Sequence, residues 1–134
     1  MPLLDEDEYE RWFRQADHTL RSAEHDLKQG DFVWASFKAH QAAEYAVKAA
    51  LRALGLEAYG PSVSALLARL EGSEPLLEEA KRLDRHYLAP RYPNQWSEGT
   101  PLDYYTRRDA EEAINTARRV LNWVSGCVGR LRRG

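Results

Sequence analysis

Between Asp5 and Lys28 the apolar positions Tyr9, Phe13, Ala16, Leu20, Ala23 and Leu27 recur at alternating steps of three and four, which predicts an amphipathic helix closed by Gly30. Asp31 is placed to cap a second helix running to Leu54, where "AHQAAEYAVKAALRAL" is rich in alanine and Gly55 can end it. Small side chains let neighbouring helices approach closely, so this segment reads as the central helix of a bundle. "GLEAYGP" is turn chemistry. Ser62 then caps a short third helix that buries Val63, Leu66, Leu67 and Leu70 and ends at Gly72. Ser73, followed by Pro75 in the first turn, starts a fourth helix marked by Leu76, Leu77, Ala80, Leu83 and Tyr87. That helix must stop before Pro90, because the residue preceding a proline disfavours helical geometry. After a long loop, Thr106 and Asp109 form a capping-box pattern ahead of the stripe Ala110, Ala113, Ile114, Ala117, Val120, Leu121 and Val124. Gly126 and Gly129 are expected to loosen the end of this last helix and leave a mobile arginine-rich tail over 127–134.

No segment alternates with period two, and neither an internal repeat nor a low-complexity linker is visible. The expected fold is therefore all-α: an up-and-down bundle of four main helices, with a short helix and a long loop before the last. It forms one domain over residues 1–134.

Composition narrows the classes of function. The 134 residues carry 19 basic and 21 acidic side chains, a formal charge of −2, which is not the bulk signature of a nucleic-acid binder. Any site for nucleic acid must be local. Arginines cluster at Arg107 and Arg108, at Arg118 and Arg119, and in "GRLRRG", a pattern that also suits a solvated face. The acidic "MPLLDEDEYERWF" is unlike a secretory signal, and a mean hydropathy of −0.66 argues against a membrane span. A single cysteine, Cys127, cannot pair within the chain, and it suits a reducing cytoplasm and a place in the core.

Candidate chemistry is sparse. His18 and His25 lie two turns apart on the first helix, roughly 10 Å along its axis, too far to share one metal. No HExxH, CxxC, P-loop or GxGxxG is present, so neither a metal site nor a bound cofactor is expected. His40, Gln41, Glu44 and Lys48 draw more interest, since Gln41, Glu44 and Lys48 share one stripe of the second helix. The stripe reads either as a helix-surface Glu44–Lys48 ion pair or as a polar groove beside the loop. In "LDRHYLAPRYPNQW", Asp84, His86, Tyr87, Arg91 and Tyr92 bring a carboxylate, an imidazole, two phenols and a guanidinium close together in sequence. Arginine offers a planar fork to phosphate, and Tyr or Trp96 can stack on a base. A structural alternative is equally open: buried tyrosine rings, an Asp84–Arg91 pair, and Pro90 and Pro93 stiffening a connection.

"FKAHQAAEYAVKAALRALGL", "LDRHYLAPRYP" and "YYTRRDAEEAINTARRVLNWV" together resemble the HEPN domain family of prokaryotic helical proteins, over nearly the whole chain from about Trp12 to Val124. The resemblance implies a helical bundle, commonly a homodimer, often encoded beside a minimal nucleotidyltransferase partner in a toxin–antitoxin-like pair. It implies nucleotide binding in some members and metal-independent RNase activity in many. Carried over by motif, the family's polar positions fall on Gln41, Glu44 and Lys48 and on Asp84, Tyr87, Arg91, Tyr92 and Pro93.

Two departures bear on function. RNase members carry a histidine a few residues after the arginine, whereas the residues following Arg91 read "YPNQWSEG". The missing imidazole is the group that would act as base toward a ribose 2′-hydroxyl, which points away from catalysis. Arg91 and His86, in reversed order, are what the chain offers for a catalytic role. Pro61 also stands where relatives have histidine ahead of the serine, which leaves Ser62 as a helix cap. Three functions follow: a nucleotide- or phosphate-binding module that docks a nucleotidyltransferase, a metal-independent endoribonuclease toxin using Arg91 and His86, or a non-catalytic dimeric scaffold.

Overall fold

A computed structural model of the chain describes residues 4–134. Five α-helices follow in order: α1 (Glu6–Lys28), α2 (Phe32–Ala53), α3 (Val63–Leu67), α4 (Glu74–Asp84) and α5 (Arg107–Arg133). Two single 3-10 turns, Pro93–Gln95 and Pro101–Asp103, lie in the loop between α4 and α5. Among the described residues there is no strand, and no helix is long and apolar enough to cross a membrane.

Short polar side chains begin four of these helices, each accepting an orphan backbone N–H. Asp5 accepts from Glu8 N at 3.1 Å, Asp31 from Trp34 N at 3.3 Å, Ser62 from Ala65 N at 3.1 Å and Thr106 from Asp109 N at 3.2 Å. Asp109 returns the bond to Thr106 N at 2.9 Å and completes the box read from the sequence. Gly30 and Gly55 take φ of 81° and 74° just past α1 and α2, the left-handed geometry that stops a helix with little strain in glycine. Ser73 behaves differently. Its hydroxyl donates 2.6 Å to the Leu67 carbonyl and ties the start of α4 to the end of α3.

The alanines of α2 explain the architecture. Ala35, Ala39, Ala42, Ala43, Ala46, Ala49, Ala50 and Ala53 are all buried, so α2 has almost no wet face. It packs most extensively on α1, then on α5, and α3 and α4 close its remaining side. Leu51, Val47, Leu67, Leu83, Val120 and Val124 fill the space between the helices. Burying a side chain of this size contributes about 1.5–3 kcal/mol.

Three boundaries differ from the sequence reading. α3 ends at Leu67, although Leu70 is still buried, because a tight turn from Leu70 N to the Leu67 carbonyl replaces the next helical turn. α4 ends at Asp84 rather than beyond Tyr87, and the chain continues through three-residue turns as far as Arg91. α5 does not loosen at Gly126 but stays helical to Arg133, so the tail expected over 127–134 is almost wholly part of the helix. Buried Val128 anchors this stretch, and the Arg132 guanidinium forks onto the Glu6 carboxylate at 2.7–3.1 Å. Cys127, beside Val128, is half-buried rather than fully in the core.

Candidate functional site

The end of α4 is fixed by one carboxylate. Asp84 Oδ1 accepts from Val63 N at 2.7 Å and faces His40 Nε2 at 3.3 Å. Its Oδ2 accepts from Ser64 Oγ at 2.6 Å, Ser64 N at 3.1 Å and Ser62 Oγ at 3.1 Å. Burial disfavours the charge, but the bonds from His40, Ser64 and Val63 outweigh it and hold the carboxyl down to about 2. Asp84 thus caps α3 from a distance in sequence, and no ion pair with Arg91 forms.

An ionised carboxylate only accepts, so His40 Nε2 carries the proton that points at Asp84. The His40 ring is completely buried, and Nδ1 has no hydrogen-bond partner. A buried polar atom without a partner costs about 1–3 kcal/mol. The ring also packs against Tyr87, with centroids 5.5 Å apart and the planes tilted by 53°.

Arg91 sits in a cage of three aromatic rings. Its guanidinium carbon is 4.6 Å from the Phe37 centroid, 4.6 Å from Tyr87 and 5.1 Å from Tyr92. Each such contact contributes about 0.5–1 kcal/mol where it is exposed. Nε donates 2.8 Å to the Tyr87 carbonyl. Among the described residues no carboxylate lies within ion-pair distance of Arg91, and both terminal nitrogens lack protein acceptors. The result is a half-buried cation, oriented by rings and one carbonyl, whose planar fork is free for an anion. Tyr92, one of the caging rings, is 44% exposed, and Trp34, 43% exposed, stands edge-on to Phe37 at 5.8 Å.

Beyond this cage the loop is held by its own aromatics. Trp96 stacks on Tyr104 at 4.3 Å and donates from Nε1 to the Ala89 carbonyl at 2.9 Å. His86 turns toward Tyr105, with Nδ1 and the phenol oxygen 2.7 Å apart. Burial pushes the imidazole down to about 4, and burial with the nearby Asp109 charge raises the Tyr105 phenol. At neutral pH His86 is therefore an uncharged ring hydrogen-bonded to an intact phenol.

Of the residues singled out from the sequence, Tyr87, Arg91 and Tyr92 meet in the cage. Gln41 lies half-buried on the α2 stripe that begins at Trp34 and Phe37. Glu44 and Lys48 continue that stripe and pair with each other at 2.9 Å, but their side chains are only 11% and 12% exposed, so this is not a surface pair. One Glu44 oxygen, Oε1, is buried without a partner. Among the described residues no hydrogen bond joins this pair to Arg91. Sequence reasoning overlooked Phe37, which the same stripe places four residues before Gln41. It also overlooked the His86–Tyr105 bond, for which no local pattern exists.

Residues 9–127 match the family model for the HEPN domain. The chain belongs to the HEPN domain family. Solved structures share its fold. Protein TT1696 from Thermus thermophilus is 41% identical with a TM-score of 0.85, over 89% of this chain and 97% of that one. ST0689, an archaeal HEPN homologue, is 42% identical with a TM-score of 0.77, over 88% and 95% of the two chains. An HEPN domain protein from Thermotoga maritima is 33% identical with a TM-score of 0.72, over 90% and 98%. A Methanocaldococcus jannaschii protein named "Putative toxin MJ1304" is 30% identical over 126 residues, 84% of this HEPN chain and 83% of the relative.

Proposed function

We propose that this HEPN domain is a binding module that takes a nucleotide or another phosphate-bearing ligand at the Arg91 cage. We further propose that it works as a homodimer with a minimal nucleotidyltransferase partner in a toxin–antitoxin-like pair. The observation that carries the reading is Arg91 itself, a guanidinium bordered by Phe37, Tyr87 and Tyr92 with its fork unpaired. Phosphate would accept from the two terminal nitrogens, and a base would stack on Tyr92 or Trp34. Gln41 lies along the same helix face, where its amide would serve the ligand's polar edge. In this reading Tyr87 shapes the cage, while Asp84, with both oxygens engaged, orders the segment instead of touching ligand. Glu44 and Lys48 continue the same helix stripe as its drier end. The toxin name of the M. jannaschii relative supports the two-component setting.

Calorimetric titration with adenine and guanine nucleotides, with and without the partner, tests this reading. Saturable binding that Arg91→Ala weakens by about tenfold is the expected result. No binding to wild-type protein in either setting would remove it.

His86 favours a second reading, a metal-independent endoribonuclease. An imidazole kept neutral at pH 7 has the free nitrogen lone pair that a general base requires. RNA cleavage that resists chelators and disappears in both Arg91→Ala and His86→Ala would favour it over simple binding.

A further inference from the structure

The Arg91 cage is not built by its own loop alone. Phe37 comes from α2, Tyr87 and Tyr92 flank Arg91, and the turn carrying Tyr87 starts at Asp84, whose carboxylate is locked to α3. The buried His40 ring contacts both Asp84 and Tyr87. It hydrogen-bonds Asp84 through Nε2, lies 5.5 Å from the Tyr87 ring, and projects from α2 one turn after Phe37. Leucine would fill a similar volume without leaving a buried nitrogen unpartnered. What leucine could not do is bond Asp84 while bracing Tyr87.

We propose that His40 is a positioning residue for Arg91: Asp84 orients the imidazole, the imidazole supports Tyr87, and Tyr87 presents its ring and carbonyl to the guanidinium. Loss of the Asp84 bond lets the His40 side chain and the Tyr87 ring shift, which lengthens or breaks the Arg91 Nε bond to the Tyr87 carbonyl and disperses the cage. His40 touches no ligand in this scheme. The ligand-affinity part of the inference rests on the function proposed above, whereas the geometric part does not.

The test therefore uses a reporter that needs no ligand. The Arg91 Nε–H resonance, assigned by its loss in Arg91→Lys, should be shifted by the three rings and protected from exchange by the Tyr87 carbonyl. His40→Leu keeps volume and removes the bond; His40→Gln keeps a donor at the reach of Nε2. The expected outcome is a resonance moved toward the free-arginine position in His40→Leu and restored in His40→Gln, with adenosine 5′-monophosphate affinity weakened roughly fivefold in the first and recovered in the second. If His40→Leu does not fold, His40→Asn, whose amide is too short to reach Asp84, takes its place with the same expectation. An unshifted Arg91 signal in a folded His40→Leu or His40→Asn overturns the proposal. So does failure of both to fold, because His40 would then hold the fold as a whole. Should wild-type protein bind no nucleotide while the resonance still follows His40, the binding function fails and the positioning role stands.

Discussion

Replacing Asp84 with asparagine keeps the shape of the α3 clamp and removes its charge. Folding lowers the carboxyl from its ordinary 3.8 to about 2, because the bonds from His40, Ser64 and Val63 outweigh the opposing effect of burial. Only 21% of the side chain is exposed, so solvent screens these bonds little. A depressed carboxylate stabilises the fold above its unfolded value and loses that contribution as pH falls through its folded value. Here the contribution is about 2 kcal/mol at pH 7, with about half of it gone by pH 3. The asparagine in Asp84→Asn would also turn an amide donor toward groups that donate, at a cost independent of pH. Urea unfolding followed by circular dichroism, wild type against Asp84→Asn at pH 7, 5, 4 and 3, measures the difference directly, and the other carboxylates cancel between the two proteins. The gap should be at least about 2 kcal/mol at pH 7 and narrow by about 1 kcal/mol by pH 3. A gap that stays constant across that range, or one below about 0.5 kcal/mol at pH 7, would show that Asp84 does not clamp α3 through its charge.

Three further outcomes follow from the same geometry. Arg91→Lys should weaken nucleotide binding about as much as Arg91→Ala, on the order of tenfold in calorimetry, since an ammonium keeps the charge but neither the planar stack nor the fork. Because burial holds His86 down to about 4, the unfolded chain takes up a proton first, and wild-type stability should decline as pH falls from about 6.5 toward 4; His86→Phe should flatten that decline in chemical denaturation. Gly126→Ala and Gly129→Ala should each raise stability by about 0.5–1 kcal/mol, because both positions are helical and an added Cβ meets only an arginine terminus, at 3.6 Å and 3.5 Å; a fall in thermal midpoint would contradict this.

The bundle is largely legible in the chain because its signals are local. The apolar stripe of α1, the alanines of α2 and the Thr106–Asp109 box each act within a few residues, and each lies where expected. Boundaries fail where a distant group decides them. α5 passes through Gly126 and Gly129 because Val128 is buried and Glu6, at the other end of the chain, holds Arg132. The site divides in the same way. Tyr87, Arg91 and Tyr92 are near neighbours in sequence and can be grouped from it, but Phe37 joins them only through the packing of α2 beside the loop. An Asp84–Arg91 pair is one open reading of the loop, and α3 and His40 take the carboxylate instead. Nothing local to Asp84 announces partners that lie twenty or more residues away.

The central claim is that the aromatic cage around Arg91 is where ligand binds. Amide and arginine side-chain resonances followed during titration with adenosine 5′-monophosphate test it most directly. The account predicts saturable shifts centred on Phe37, Gln41, Tyr87, Arg91 and Tyr92, with the Arg91 Nε–H signal among the largest. Shifts that are absent, or that cluster on the arginines of α5 while Arg91 stays still, would contradict it.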